Sequence, residues 1–238
     1  MSLLYEPQGR ASKYARLAAN IHKSCSHGCY YCYCPRVLHI DPRQFLVPNP
    51  QPKANWNPQV LTADIRDWVR CHPGQRPYVH LCFIGDPFPM GGNPQHGLDA
   101  VNAVHAGGLP VQVLTKGVPP PELFDILTKD DLYGTTLTTV DNEMAAKVEP
   151  RAANPELRVL ALTTAHRRGI PVWLSHEPVI DSYWSIPVLQ TAADLGINIK
   201  PLWIGPLNHC VRSYDWVQTK LTLLTVATNL GLTVQFKE

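Results

Sequence analysis

The chain has 238 residues, 45% hydrophobic and only 17% charged, with a net charge of +2; average soluble domains carry roughly 25% charged residues. This balance excludes a disordered chain and gives no electrostatic case for nucleic-acid binding on charge alone, while suiting a large-cored domain of α/β-barrel size. No run approaches the roughly 18 apolar residues of a membrane span, and no charged-then-apolar leader pattern opens the chain. A cytoplasmic, reducing compartment is therefore expected, where the 7 cysteines serve as thiols or metal ligands rather than disulfides.

In chain order, a basic stretch (Arg10, Lys13, Arg16, Lys23) surrounds a first predicted strand at Leu17–His22. The proline-rich segment Pro48–Pro58 is an irregular loop, followed by a helix Pro58–Arg70 whose Val60, Leu61, Ile65, Trp68 and Val69 form an apolar stripe. Strands at Tyr78–Ile84, Val111–Thr115, Thr135–Thr138, Val172–Ser175 and Ile199–Ile204 then alternate with helices Pro94–Ala106, Pro121–Thr128, Pro155–Arg168, Ser182–Leu195 and Asp215–Leu230, and a short strand closes at Thr233–Phe236. A glycine-led unit recurs after helices, at Gly108-Leu-Pro-Val, Gly169-Ile-Pro-Val, Gly196-Ile-Asn-Ile and Gly231-Leu-Thr-Val. Glycine suits a left-handed helix end and proline the first position of a strand, so the repeat is helix, cap, strand. That is the pattern of a parallel α/β fold. We expect one domain over 1–238, a partial (β/α)6 TIM-type barrel with its core at about 17–210 and a helix and strand at 213–238.

Polar segments follow each predicted strand: SCSHGCYYC, GDPF, TKG, TTVD, HEPVID and GPLNHC. In a parallel barrel every strand end opens on the same face, so these segments converge on one site. The first contains Cys25-Ser-His-Gly-Cys29-Tyr-Tyr-Cys32, a C-x3-C-x2-C run. Three such thiolates can hold three irons of a cubane and leave the fourth open for chemistry. The rival is a zinc site completed by His22, His27 or Cys34, although zinc ligands usually come as separated pairs.

The run from about Asn20 to Asn208 resembles the radical-SAM superfamily, and within it the spore photoproduct lyase-like (SplB-like) branch. The likeness rests on the three cysteines with the aromatic Tyr31 before the last, on Gly85-Asp86-Pro87-Phe88, Leu114-Thr115-Lys116, Glu149-Pro150 with Arg158, and Gly169-Ile-Pro-Val. Ser24 departs from the glycine common at its place. The resemblance implies a radical-SAM core in which a 4Fe–4S cluster on Cys25, Cys29 and Cys32 binds S-adenosylmethionine and cleaves it reductively. It implies cofactor-binding roles for Tyr31, Gly85, Asp86, Lys116 and Thr136, with Asp86 toward the methionine ammonium and Lys116 toward its carboxylate. It also implies an external flavodoxin- or ferredoxin-like electron donor, and a nucleic-acid substrate undergoing lesion reversal or base modification. Radical modification of a peptide or small metabolite, or a non-catalytic metal-binding module, are the alternatives.

Each assignment has a structural rival. Asp before Pro is often a turn residue, a strand-end lysine can be merely solvated, and Thr136 is also a good β-former. Arg158 pairs with Glu149 or reaches the cofactor, while His176, Glu177, Asn208, His209 and Tyr214 are expected to border the substrate. Some related lyases quench the product radical with a thiol, and Cys210, after the sixth strand, is the expected donor. Cys34 is held aside by Pro35, and strand alternation from Asp86 puts Cys82 about 13 Å deeper in the barrel.

Overall fold

A computed structural model describes residues 2–208 and 214–237. Eight strands form one sheet in sequence order: β1 (Leu4–Tyr5), β2 (Leu17–Ala19), β3 (Val79–Leu81), β4 (Val111–Thr115), β5 (Leu132–Thr136), β6 (Val172–Val179), β7 (Ile199–Pro206) and β8 (Val234–Phe236). Only β1 is antiparallel to its neighbour; β2 through β8 run parallel. Among the described residues no pairing joins β8 back to β1, so the barrel stays open. The expected six-strand core is β2 to β7, flanked by β1 and β8.

The helices are α1 (Cys34–Leu38), α2 (Pro42–Phe45), α3 (Pro58–Cys71), α4 (Gln95–Gly107), α5 (Glu122–Ile126), α6 (Asn142–Val148), α7 (Pro155–Arg167), α8 (Ser182–Asp194) and α9 (Trp216–Asn229). Their starts are written locally. Asn57 accepts hydrogen bonds from Gln59 N and Val60 N at the head of α3, Asp181 from Trp184 N at α8, and Asp215 from Val217 N at α9. The four glycines of the recurring unit all have positive φ, at 95°, 76°, 60° and 69°, so each ends a helix and releases the chain into the next strand. Helices cover the outside, and parallel strands buried on both faces are mainly apolar, as Leu17-Ala-Ala shows, with single polar residues such as His80 buried among them.

Besides β2, which stops at Ala19 rather than His22, four strands depart from expectation. β3 stops at Leu81 rather than Ile84, because Cys82 turns to φ 67° and Asn20 Oδ1 takes the Ile84 N–H. β5 starts at Leu132 rather than Thr135: buried Asp131 accepts from Val111 N and Thr128 N and anchors the strand early. β6 and β7 run on through His-Glu-Pro-Val and Gly-Pro, pairing His176 with Ile204 and Val179 with Pro206 across a register shift. The barrel interior is packed rather than hollow. Trp173 Nε1 donates to Val113 O, His80 stacks on Phe83 at 4.2 Å, and Tyr14 stands edge-on to Trp173.

Candidate active site

A cavity of about 670 Å³ opens at the C-terminal ends of the strands, within the size range of small-molecule sites. Cys25, Cys29 and Cys32 line one side, with Tyr31, Gly85, Asp86, Lys116 and Thr136 around them. The eight residues expected to hold the cluster and the cofactor therefore share one space.

The cysteine loop is fixed from both ends. Cys25 N donates to Phe45 O, Val47 N to Cys25 O, and Tyr30 N to Val148 O. Tyr31 is buried, and its hydroxyl donates to Glu149 Oε1. Glu149 pairs in turn with Arg158 at 2.6 Å, and Arg158 also donates to Ala153 O and Thr136 O. Burial opposes the Glu149 charge, but Arg158 and Lys116 outweigh it and hold the carboxyl below its ordinary value. The pair braces the cysteine loop against β5 and α7.

Among the described residues, no three His, Cys, Asp or Glu side chains converge as one metal ion requires. Three thiols spread along a cavity wall fit a cubane, where each holds a different iron, better than a single tetrahedral zinc. The protein around them is not neutral to their charge. Burial pushes Cys29 up to about 12, whereas the Cys34 thiol hydrogen-bonds Cys32 and brings it down to about 7.

Gly85 has φ 81°, and a Cβ there would lie 2.8 Å from Ser24 O; only glycine lets this turn touch the cysteine loop. The Asp86 carboxylate is engaged by Phe88 N at 2.8 Å, Thr115 Oγ1 at 2.6 Å and Lys116 N at 2.8 Å. It thus acts as a turn aspartate that ties β3 to β4 while still lining the cavity, with capacity for a further donor. Lys116 has no ion pair among the described residues. Its ammonium lies 5.6 Å from the Tyr31 ring centre. Burial lowers its pKa, but Cys29 and Glu149 more than compensate and keep it cationic. Thr136 is buried against the cavity.

On the far side, Glu177 and Asn208 line the cavity as expected. His176 does not border it: Nδ1 bonds Leu137 O at 2.6 Å in full burial, because β6 continues past Ser175 and turns the imidazole into the core. Tyr214 donates to Val179 O and accepts from Leu207 N, pinning the ends of β6 and β7. Cys210 and His209 lie outside the described residues. The 13 Å depth expected for Cys82 is overturned, since the strand ends before it; Cys82 lines the cavity, as does Cys34. Tyr14 and Lys237 complete this wall and were missed. The first precedes any predicted strand and the second follows the last one, so no motif marks either.

A family described as the Radical SAM superfamily matches residues 19–187. No curated protein matches the chain at the sequence level. Streptococcus suis SuiB bound to S-adenosylmethionine is 13% identical with a TM-score of 0.64, over 92% of this chain and 46% of that one. SuiB bound to precursor peptide SuiA is 12% identical with a TM-score of 0.67, over 93% and 48%. Spore photoproduct lyase complexed with dinucleoside spore photoproduct is 12% identical with a TM-score of 0.71, over 98% and 79%. The chain thus spans about half of SuiB and most of the lyase, and shares their fold.

Proposed function

This chain belongs to the Radical SAM superfamily, and on that footing we propose that it cleaves S-adenosylmethionine reductively at a 4Fe–4S cluster held by Cys25, Cys29 and Cys32. The observation that carries this reading is the Lys116 ammonium, without an ion pair among the described residues, lining the same cavity as the three thiols. Bound there, the cluster and S-adenosylmethionine would supply 5'-deoxyadenosyl radical chemistry for hydrogen abstraction, given an electron from a flavodoxin- or ferredoxin-like donor. Lys116 pairs with the methionine carboxylate as a point charge. Asp86 accepts the methionine ammonium, with its other donors keeping it fixed. Tyr31, Gly85 and Thr136 shape the wall on which the cofactor rests.

The substrate we propose is nucleic acid, modified at a base or repaired at a lesion. Support comes from the SplB-like motifs and from the near-complete overlap with spore photoproduct lyase, whose complex holds a dinucleoside photoproduct. The test is anaerobic reconstitution with iron and sulfide, then addition of dithionite and S-adenosylmethionine. Brown 4Fe–4S absorbance and 5'-deoxyadenosine are expected, both lost when Cys25, Cys29 or Cys32 is replaced by alanine. A full cluster in any one of those variants, or a colourless protein holding stoichiometric zinc, refutes the assignment.

A further inference from the structure

The cavity wall facing the cysteines is built around one carboxylate. Glu177 Oε2 accepts from the Tyr14 hydroxyl, from Ser175 Oγ at 3.3 Å, and from Lys237 Nζ at 3.2 Å. Its side chain fits only because residue 205 is glycine: a Cβ there would lie 2.1 Å from Glu177 Oε1. Lys237, on the residue after β8, is 3% exposed. Its ammonium sits over the Tyr14 ring and 5.0 Å from the centre of Trp203. Three chain segments that share no backbone pairing with one another here (the turn before β2, the end of β6 and the end of β8) meet at this point.

Two further cations stand close by. Arg10 lines the cavity, and Arg10 and Lys13 both act on Glu177 and Lys237. Among the described residues this wall sets Arg10 and Lys237 against Glu177 alone, with exposed Lys13 acting from outside it. Burial disfavours both members of the pair. Arg10 and Lys13 then favour the Glu177 carboxylate but oppose the Lys237 ammonium. Among the described residues, cations outnumber carboxylates on this wall. A buried lysine serving only to neutralise one glutamate would need no other cation beside it.

We propose that Lys237 and Arg10 form an oxyanion-binding subsite for the substrate, taking a carboxylate or phosphate group, with Glu177 and Tyr14 as positioning residues that aim the lysine. The inference rests on reading this cavity as the substrate site. The partners of Lys237 are Glu177, Tyr14 and Trp203, whereas Lys116 lies against Tyr31, so the subsite is separate from the charge assigned to the cofactor. An anion here replaces the water that Lys237 has lost, and the charge-assisted hydrogen bond it makes is worth roughly a tenfold to hundredfold gain in affinity. Aromatic rings of Tyr14 and Phe83 line the approach, so the attached group is expected to be flat and apolar rather than a free ion.

The test is equilibrium dialysis of the reconstituted, S-adenosylmethionine-loaded protein against radiolabelled phosphate and, separately, acetate, with choline as the cationic control. Saturable binding of either anion, and none of choline, is expected; which anion binds more tightly names the source. Lys237→Met should weaken binding at least about tenfold, and Lys237→Arg should restore most of it. Arg10 is exposed, and Arg10→Gln should weaken binding about two- to fivefold. Glu177→Gln keeps the shape and removes the competing charge, so it should tighten anion binding several-fold, a sign that a purely structural pair would not give. Should Lys237→Met fail to fold, the Arg10 and Glu177 variants decide. Absence of saturable binding, indifference to Lys237 and Arg10, or weaker binding in Glu177→Gln overturns the subsite. Formation of 5'-deoxyadenosine is measured on the same preparation, so failure of the cofactor chemistry is distinguished from failure of the anion site.

Discussion

Lys116 and Asp86 carry opposite charges at neighbouring strand ends, yet their replacements should behave differently. Lys116 makes no ion pair among the described residues, so beyond its contact with the Tyr31 ring and its field on Glu149, Lys116→Ala removes mainly what it offers a ligand. The cluster should remain, and S-adenosylmethionine affinity should fall about 10- to 150-fold, the range of a charged hydrogen bond of roughly 1.5–3 kcal/mol. An unchanged dissociation constant would move the cofactor elsewhere. Asp86 is already held by Phe88 N, Thr115 Oγ1 and Lys116 N. Asp86→Ala should therefore also loosen the β3–β4 junction, lowering the melting temperature where Lys116→Ala does not. Cys82 calls for a separate test. It lines the cavity whereas Cys210 lies outside the described residues, so the radical-quenching thiol we propose is sought at both. Product analysis should find Cys82→Ala or Cys210→Ala, but not both, making 5'-deoxyadenosine normally while losing correct product. Normal product from both would move the role to Cys34, which also lines the cavity, and normal product from Cys34→Ala as well would remove the thiol from the mechanism.

The brace of Tyr31, Glu149 and Arg158 links α6, α7 and β5 to the cysteine loop through one buried ion pair. Removing one partner leaves the other charge stranded, at a cost of about 3–5 kcal/mol. Arg158→Met should lower the urea midpoint accordingly and weaken cluster retention, and adding Glu149→Leu should recover part of the loss. A single variant as stable as the parent would show that the pair braces nothing. The alternation of these elements was readable from sequence because α7, α8 and α9 each start after Asn or Asp and run into a glycine, α3 starts after Asn57 and α4 ends at Gly108. β4 is found at its predicted limits, and α3, α7 and α8 agree to within a residue at each end. What could not be read were events set by distant contacts. The short helix α6 and strand β1 lack enough residues to show a period. The early stop of β3 depends on Asn20, some sixty residues away in sequence. Within the site, cysteines, Gly85, Asp86 and Lys116 belong to contiguous motifs and were found. Lys237 and Tyr14 are single residues joined only through space, and were not.

The open barrel encloses polar aromatic side chains in full burial, and this fixes how the whole molecule responds to acid. Burial pulls His80 from 6.5 down to about 3 and His176 to about 4, the latter against its bond to Leu137 O. Both are neutral in the folded protein across the range in which the unfolded chain takes up protons. Because the folded values lie below the unfolded one, the unfolded state binds more protons as pH falls under 6.5. Stability must therefore drop on acidification, and must continue to drop until the folded values are reached. Each histidine contributes a slope of about 1.4 kcal/mol per pH unit in that window. His80→Asn and His176→Asn should each flatten the pH dependence of urea stability by about that slope between roughly pH 6 and 4.5, measured at equal cofactor loading. Any stability the substitution itself removes shifts the whole curve without changing its steepness, so slope is the quantity to compare. A double variant as steep as the parent would place the acid sensitivity in other groups, His22 and His27 beside the cysteine loop being the next to test, since burial lowers them as well.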